Sequence, residues 1–204
     1  MTGGTGPTIV LASGSPTRAA MLRAVGLAFA VDPPGLDEGE VKRSLAGNGA
    51  DAPRAAMTLA ELKAARVAVR HGGALVIGAD QILAYGDRWL DKPLDIVDAA
   101  GQLKTLAGHS HELVTAACVV QDGRTAWRRI AVARLTMRPL TGPEIERYLR
   151  GRAGRDATKS PGAYQIEGGG ATLFESIEGD YFGILGLPLL ALLGFLRERG
   201  FALP

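Results

Sequence analysis

Apolar residues in this chain fall into two patterns. Short uninterrupted runs bounded by Gly, Pro or Asp alternate with longer stretches in which apolar positions recur every three or four residues. Thr8-Ile9-Val10-Leu11-Ala12 is a run of the first kind and predicts a buried strand. Ser15 then suits an N-cap, Pro16 the first helical position, and Met21, Leu22 and Val25 a helix that Gly26 stops. The stretch from Asp32 to Gly49, rich in Gly and Pro, predicts a long loop. Asp51 and Pro53 open an alanine-rich helix running to about Arg70, ended by Gly72-Gly73. Ala74 to Ala79 is a second buried strand, with Asp80 and Gln81 at its C-terminal end.

Downstream, Ile82 to Tyr85 and Arg88 to Leu90 flank Gly86-Asp87 as a hairpin. A helix fills Asp95 to Ala107 with Gly108 beyond it, and strands at Leu113 to Val120 and Ala126 to Met137 join across Asp122-Gly123. Thr141-Gly142-Pro143-Glu144 fits a capping box for a helix ending at Gly151. A glycine-rich stretch, Gly162 to Gly170, precedes a final apolar helix from Pro188 to Arg197, stopped by Gly200. Hairpins and crossover-length helices together imply an α/β or α+β protein with a mixed sheet.

Composition narrows the class. At 204 residues and 47% hydrophobic, the chain can bury a full core, as one domain or two small lobes. A formal net charge of +2, with interspersed signs, does not predict a face for nucleic acid. The one cysteine, Cys118, excludes an internal disulfide, and its apolar surroundings predict a buried structural thiol. No basic segment precedes an apolar one at the N-terminus, and the run Ile184 to Leu196 is too short to span a bilayer. A cytoplasmic protein, with no membrane partner, is the default expectation.

Several residues are candidates for chemistry. Backbone N–H groups at the first helix start, the hydroxyls of Ser13 and Ser15 and the guanidinium of Arg18 together suit a phosphate, although an ordinary capped helix has the same local sequence. Asp80, read as a strand-end carboxylate, and Glu38, in the predicted loop, would as a pair facing a triphosphate bind Mg²⁺, although each taken singly reads as a solvated carboxylate. Lys63 and Lys92 can neutralise phosphate as point charges, a role that most surface lysines do not have. Glu167 lies in Gly162-Ala163-Tyr164-Gln165-Ile166-Glu167-Gly168, whose glycines allow close approach to a ligand; Tyr164 and Ile166 argue against a loose surface loop. His109 and His111 share one face of an extended segment, but no third ligand of matching type is near, so zinc is not expected. The phosphate-loop and dinucleotide glycine motifs are both absent.

Seven segments, in order, carry a resemblance. They are Leu11 to Arg18, Leu59 to Ala64, Gly78-Ala79-Asp80-Gln81, Asp91-Lys92-Pro93, Gly162 to Gly168, Gly179-Asp180-Tyr181-Phe182 and Gly186-Leu187-Pro188-Leu189. Together they resemble the Maf family of nucleoside triphosphate pyrophosphatases, also described as septum-formation-inhibitor-like proteins. The resemblance spans nearly the whole chain and implies a single domain over 1–204. It implies an elongated mixed sheet with flanking helices, two lobes around a central cleft, similar to inosine triphosphate pyrophosphatases. It also implies a divalent cation, Mg²⁺, release of pyrophosphate in nucleotide housekeeping, and a homodimer. By position, Asp80 matches the family's catalytic carboxylate and proton acceptor. Ser13, Ser15 and Arg18 match its phosphate loop, and Glu38, Lys63, Lys92 and Glu167 other site residues. Gln81 joins the substrate-binding set. Asp80-Gln81 looks more like members acting on 7-methylguanosine triphosphate, or the broader bacterial branch, than like the thymidine and uridine triphosphate members reading Asp-Thr there, and the base preference stays open. Thr17 departs from the pattern, which has two consecutive arginines. That departure keeps a nucleotide-binding regulator of cell division without turnover as a competing expectation, followed by a phosphatase releasing orthophosphate.

Overall fold

A computed structural model describes residues 8–201, without the side chain of Ala153. Residues 1–7, where a leader would begin, lie outside the described residues. The strands form a seven-stranded mixed sheet in the order β2-β1-β3-β5-β6-β7, with β4 paired to β3. These are β1 (Ile9–Ala12), β2 (Ala30–Val31), β3 (Leu75–Tyr85), β4 (Arg88–Leu90), β5 (Ser110–Gln121), β6 (Arg124–Met137) and β7 (Phe174–Glu178). The helices are α1 (Pro16–Ala24), α2 (Glu38–Gly47), α3 (Ala52–Ala68), α4 (Ile96–Leu106), α5 (Gly142–Arg150), α6 (Tyr181–Ile184) and α7 (Leu189–Glu198). The mixed α/β class expected from the hydrophobic pattern is therefore observed, and the chain divides into two compact units.

The first unit holds the chain up to Gln81, Thr115–Ala131 and the segment from Gly186 on. Its centre is β1, whose four residues are all buried and which runs parallel to both β2 and β3. A strand covered on both faces needs the unbroken apolar run seen in Ile9 to Ala12. Leu22 of α1, Leu59 of α3, Ile77 of β3 and Leu192 of α7 fill the core around it. Cys118 is buried there too, and burial pushes its thiol up to about 12, beyond thiolate chemistry near neutrality.

The second unit comprises Ile82–Val114 and Val132–Leu185. Its core contains Leu83, Leu103, Leu135, Ile145 and Tyr164. The capping box forms as expected: the Thr141 N–H donates to Glu144 Oε2 at 2.8 Å. That bond, with the Thr141 hydroxyl and Arg138, holds the Glu144 carboxyl down at about 2. The glycine-rich stretch is folded inward, with Tyr164 and Ile166 buried and the Gly162 N–H donating to Gln102 Oε1 at 2.9 Å.

Four expectations need correction. The predicted loop from Asp32 to Gly49 contains α2, capped by Asp37 through the Glu40 N–H. None of its residues is buried, so the helix leaves no apolar periodicity in the sequence. Next, Asp80 and Gln81 are not the end of a strand but the middle of the 11-residue β3. The parallel pairing with β1 stops at Gly78, and β3 continues to pair with β4 from Leu83. Strands β2 and β7 were not expected; the first has two exposed residues and the second is an almost wholly exposed sheet edge. Finally, His109 and His111 do not share a face, because β5 begins only at Ser110. His109 is exposed and bonds the Ala107 carbonyl, whereas His111 is buried.

His111 Nε2 lies 2.7 Å from the Tyr164 hydroxyl, and burial pushes the imidazole down to about 4 from 6.5. The folded state thus resists a proton that the unfolded chain accepts. Stability should fall as pH drops from 6.5 to about 4 and level off below, by ~3 kcal/mol if the shift is fully expressed. Denaturant titrations across that window check this; a His111→Gln variant should flatten the segment, and an unchanged slope would refute the assignment to His111.

Candidate active site

The site is built on the first unit, where a tight approach of α3 to β3 sets its geometry. A Cβ added at Gly78 would lie 2.2 Å from the Ala60 carbonyl oxygen and 2.8 Å from Ala64 Cβ. Glycine on the strand facing alanines on the helix lets the two backbones come this close. Lys63, between those alanines, is consequently buried at 3% exposure, as is Asp80 two residues beyond Gly78. The Lys63 ammonium bridges two carboxylates, 2.6 Å from Asp80 Oδ1 and 2.8 Å from Glu38 Oε1. Glu38 is the first residue of α2, and its side chain remains 45% exposed. Burial opposes its ionisation, but the charges of Lys63, Lys42 and Arg18 and the Lys63 hydrogen bond hold it below the usual carboxylate range.

The β1–α1 turn supplies the second half. Ser15 caps α1 by accepting the Arg18 N–H at 3.3 Å. Ser13 Oγ accepts the Ser15 N–H and Arg18 Nη1, each at 3.2 Å. Arg18 Nε donates to the Gly186 carbonyl at 2.7 Å. Gly186 has φ +96°, and a Cβ there would crowd Arg18 Nε at 3.2 Å, so a residue without a side chain both turns the chain and seats the guanidinium. Burial lowers the Arg18 pKa, while the charges of Asp80 and Glu38 oppose that shift. The serines are thus engaged in shaping the turn and aiming Arg18. Gly14 points a prospective Cβ into open space, leaving the turn accessible.

The arrangement joins Ser13, Ser15, Arg18, Glu38, Lys63 and Asp80 through direct bonds and mutual charge. Gln81 follows on β3, its amide donating to the buried Thr115 hydroxyl at 2.8 Å. Lys92 and Glu167 belong to the second unit and are exposed. Thr17 lies in the first turn of α1. Two contributors escaped the sequence reading as functional residues: Gly186, present only as part of the Gly-Leu-Pro segment, and Thr115. The latter's signal is a hydroxyl inside an otherwise apolar strand.

Among the described residues, no group of three or more His, Cys, Asp and Glu converges as a self-sufficient metal cage. Asp80 Oδ2 is nevertheless buried and without a hydrogen-bond partner among them. Two carboxylates around one cationic position, one with an unsatisfied oxygen, fit a Mg²⁺ ion that takes its other ligands from phosphate and water. Among the described residues no helix is long and apolar enough to cross a membrane.

The chain is similar to known proteins over nearly its whole length. A nucleoside triphosphate pyrophosphatase of Paramagnetospirillum magneticum is 50% identical over 195 residues, covering 96% of this chain and 100% of that protein. A 7-methyl-GTP pyrophosphatase of Rhizobium etli is 48% identical over 194 residues, covering 95% and 97%. A nucleoside triphosphate pyrophosphatase of Rhodospirillum rubrum is 47% identical over 194 residues, covering 95% and 96%. The family profile described as Maf-like protein matches residues 8–199. With that match over nearly the full chain, this protein belongs to the Maf-like family.

Proposed function

We propose that this protein is a hydrolase that converts nucleoside triphosphates, natural or modified, to monophosphates with release of pyrophosphate, as nucleotide-pool housekeeping. The observation that carries the reading is the buried Lys63–Asp80 pair with Glu38 and the anchored Arg18, a cluster that pairs phosphate-binding cations with a carboxylate free at one oxygen. The names of the close relatives point to the same chemistry.

In this mechanism Arg18 and the N-terminus of α1 grip phosphate oxygens, and Lys63 offsets further charge, while Lys92 is proposed as a substrate contact from the family resemblance. Asp80 Oδ2 accepts a hydrogen bond from a water and takes its proton as the water oxygen attacks the α-phosphorus. The bond from that phosphorus to the bridging oxygen breaks, and pyrophosphate departs with the bond pair. Lys63 holds Asp80 Oδ1 and so fixes the direction of the other oxygen. Asp80 and Glu38 would hold a Mg²⁺ ion, which when bound polarises phosphoryl oxygens and shields their charge. Gln81, oriented by Thr115, and Glu167 are assigned to substrate contacts. Relatives bearing both a general and a 7-methyl-GTP name leave the base as the quantity to measure. The whole chain is taken to act as one nucleotide-pyrophosphatase domain, in the cytoplasm, with a homodimer as the proposed assembly.

The experiment is a panel of canonical and modified triphosphates incubated with the protein and Mg²⁺, with the phosphate product identified by chromatography. One pyrophosphate per monophosphate is the expected result. Orthophosphate would replace this reading by a phosphatase, and tight binding without product by a nucleotide-binding regulator.

A further inference from the structure

The ammonium of Lys63 sits where the two acidic side chains converge. It touches Asp80 Oδ1 at 2.6 Å and Glu38 Oε1 at 2.8 Å, with Lys63 and Asp80 side chains each only 4% exposed. A buried contact this close gives the carboxylates their counter-charge without any metal. Arg18 adds a second positive charge felt by both Asp80 and Glu38. The two carboxylates are therefore already matched by Lys63 and Arg18, and Lys42 adds further positive charge at Glu38. A free divalent ion approaching Asp80 Oδ2 would meet carboxylates whose charge is already offset, and the adjacent ammonium. It would gain one unsatisfied oxygen and lose much of its hydration shell, which Mg²⁺ gives up reluctantly. A triphosphate reverses the balance, bringing several negative charges and phosphate oxygens that ligate the ion.

We propose that Lys63 occupies the cation position between Asp80 and Glu38 in the free protein, so that a divalent ion enters this site only together with a triphosphate. Lys63 is then both a phosphate-binding group and a block on metal loading ahead of substrate. The inference rests on the triphosphate reading given above.

The test uses Mn²⁺ as a spectroscopic stand-in for Mg²⁺, with free and bound ion counted by electron paramagnetic resonance. In the whole protein, Mn²⁺ retained by the protein, counted apart from the Mn²⁺–nucleotide chelate in protein-free solution, should rise by about tenfold or more when a non-hydrolysable α,β-methylene triphosphate is present. Lys63→Met should bind Mn²⁺ without nucleotide about tenfold or more tightly than the parent protein, because removal of the ammonium leaves two carboxylates seeking a cation. Equal Mn²⁺ retention with and without the analogue, or a Lys63→Met variant that binds Mn²⁺ no better than the parent, would overturn the proposal. If Lys63→Met does not fold, the parent titration alone decides. Failure of the analogue to bind at all, with or without metal, would instead overturn the triphosphate reading. The two failures are therefore distinct.

Discussion

Asp80→Asn is expected to slow pyrophosphate release by about 10²–10⁴-fold, the contribution of a positioned general base. The substitution keeps the size of the side chain and an acceptor oxygen for Lys63, but removes the group to which the proposed mechanism gives the proton. It also breaks a buried ion pair, which by itself costs about 3–5 kcal/mol when the surviving charge is left unpaired. Here Glu38 remains 2.8 Å from the ammonium, so the stability loss should fall below that range. The measurement is initial rate of pyrophosphate formation at a temperature well below the variant's own melting point, with circular dichroism confirming the fold. Turnover close to that of the parent protein would remove Asp80 from the chemistry.

Gly78→Ala carries the second large effect, by a different route. The new methyl would meet the Ala60 carbonyl at 2.2 Å and Ala64 Cβ at 2.8 Å. Neither neighbour has a rotamer to change, so α3 must move off β3 as a body. Overpacking of this kind costs about 1–3 kcal/mol. It also lifts Lys63, which lies between the two contacted alanines, away from Asp80. Stability and catalysis should therefore fall together, with thermal denaturation and initial rates as the two readouts. The matching control is Gly101→Ala, in the middle of α4, where a Cβ meets nothing within 4 Å. That exchange should stabilise by about 0.5–1 kcal/mol and leave the rate alone. A Gly78→Ala protein with parental stability and rate would show that the helix–strand approach does not set the site.

These expectations also mark what the sequence made legible. Strand β1, helix α3 and the first part of β3 were readable because burial on two faces demands unbroken apolar runs, and burial of one helix face demands small or apolar residues at helical spacing. Helix α2 was not, since it buries nothing and rests on its Asp37 cap. The true length of β3 was hidden for the opposite reason. Asp80 and Gln81 look like the polar residues of a strand end, yet Lys63 and Thr115 partner them inside the protein. Glu38, Lys63 and Asp80 were each identified as candidates, but no spacing rule links residues on three separate elements into a shared ion cluster. Gly186 was less visible still, because its contribution is a carbonyl oxygen and the absence of a side chain.

The bond from Arg18 to the Gly186 carbonyl joins residues 168 positions apart. During translation at about 5–20 residues per second, Arg18 therefore waits roughly ten to thirty seconds before its anchor has been synthesised. Until then the nascent chain can present the β1–α1 turn but not the seated guanidinium. Closing so long a loop comes late in folding, because its entropy must be lost before the contact returns anything. The seated Arg18 guanidinium is thus available only after the segment holding Gly186 has been made, and a chain cut short before that residue would keep the turn without its anchored cation.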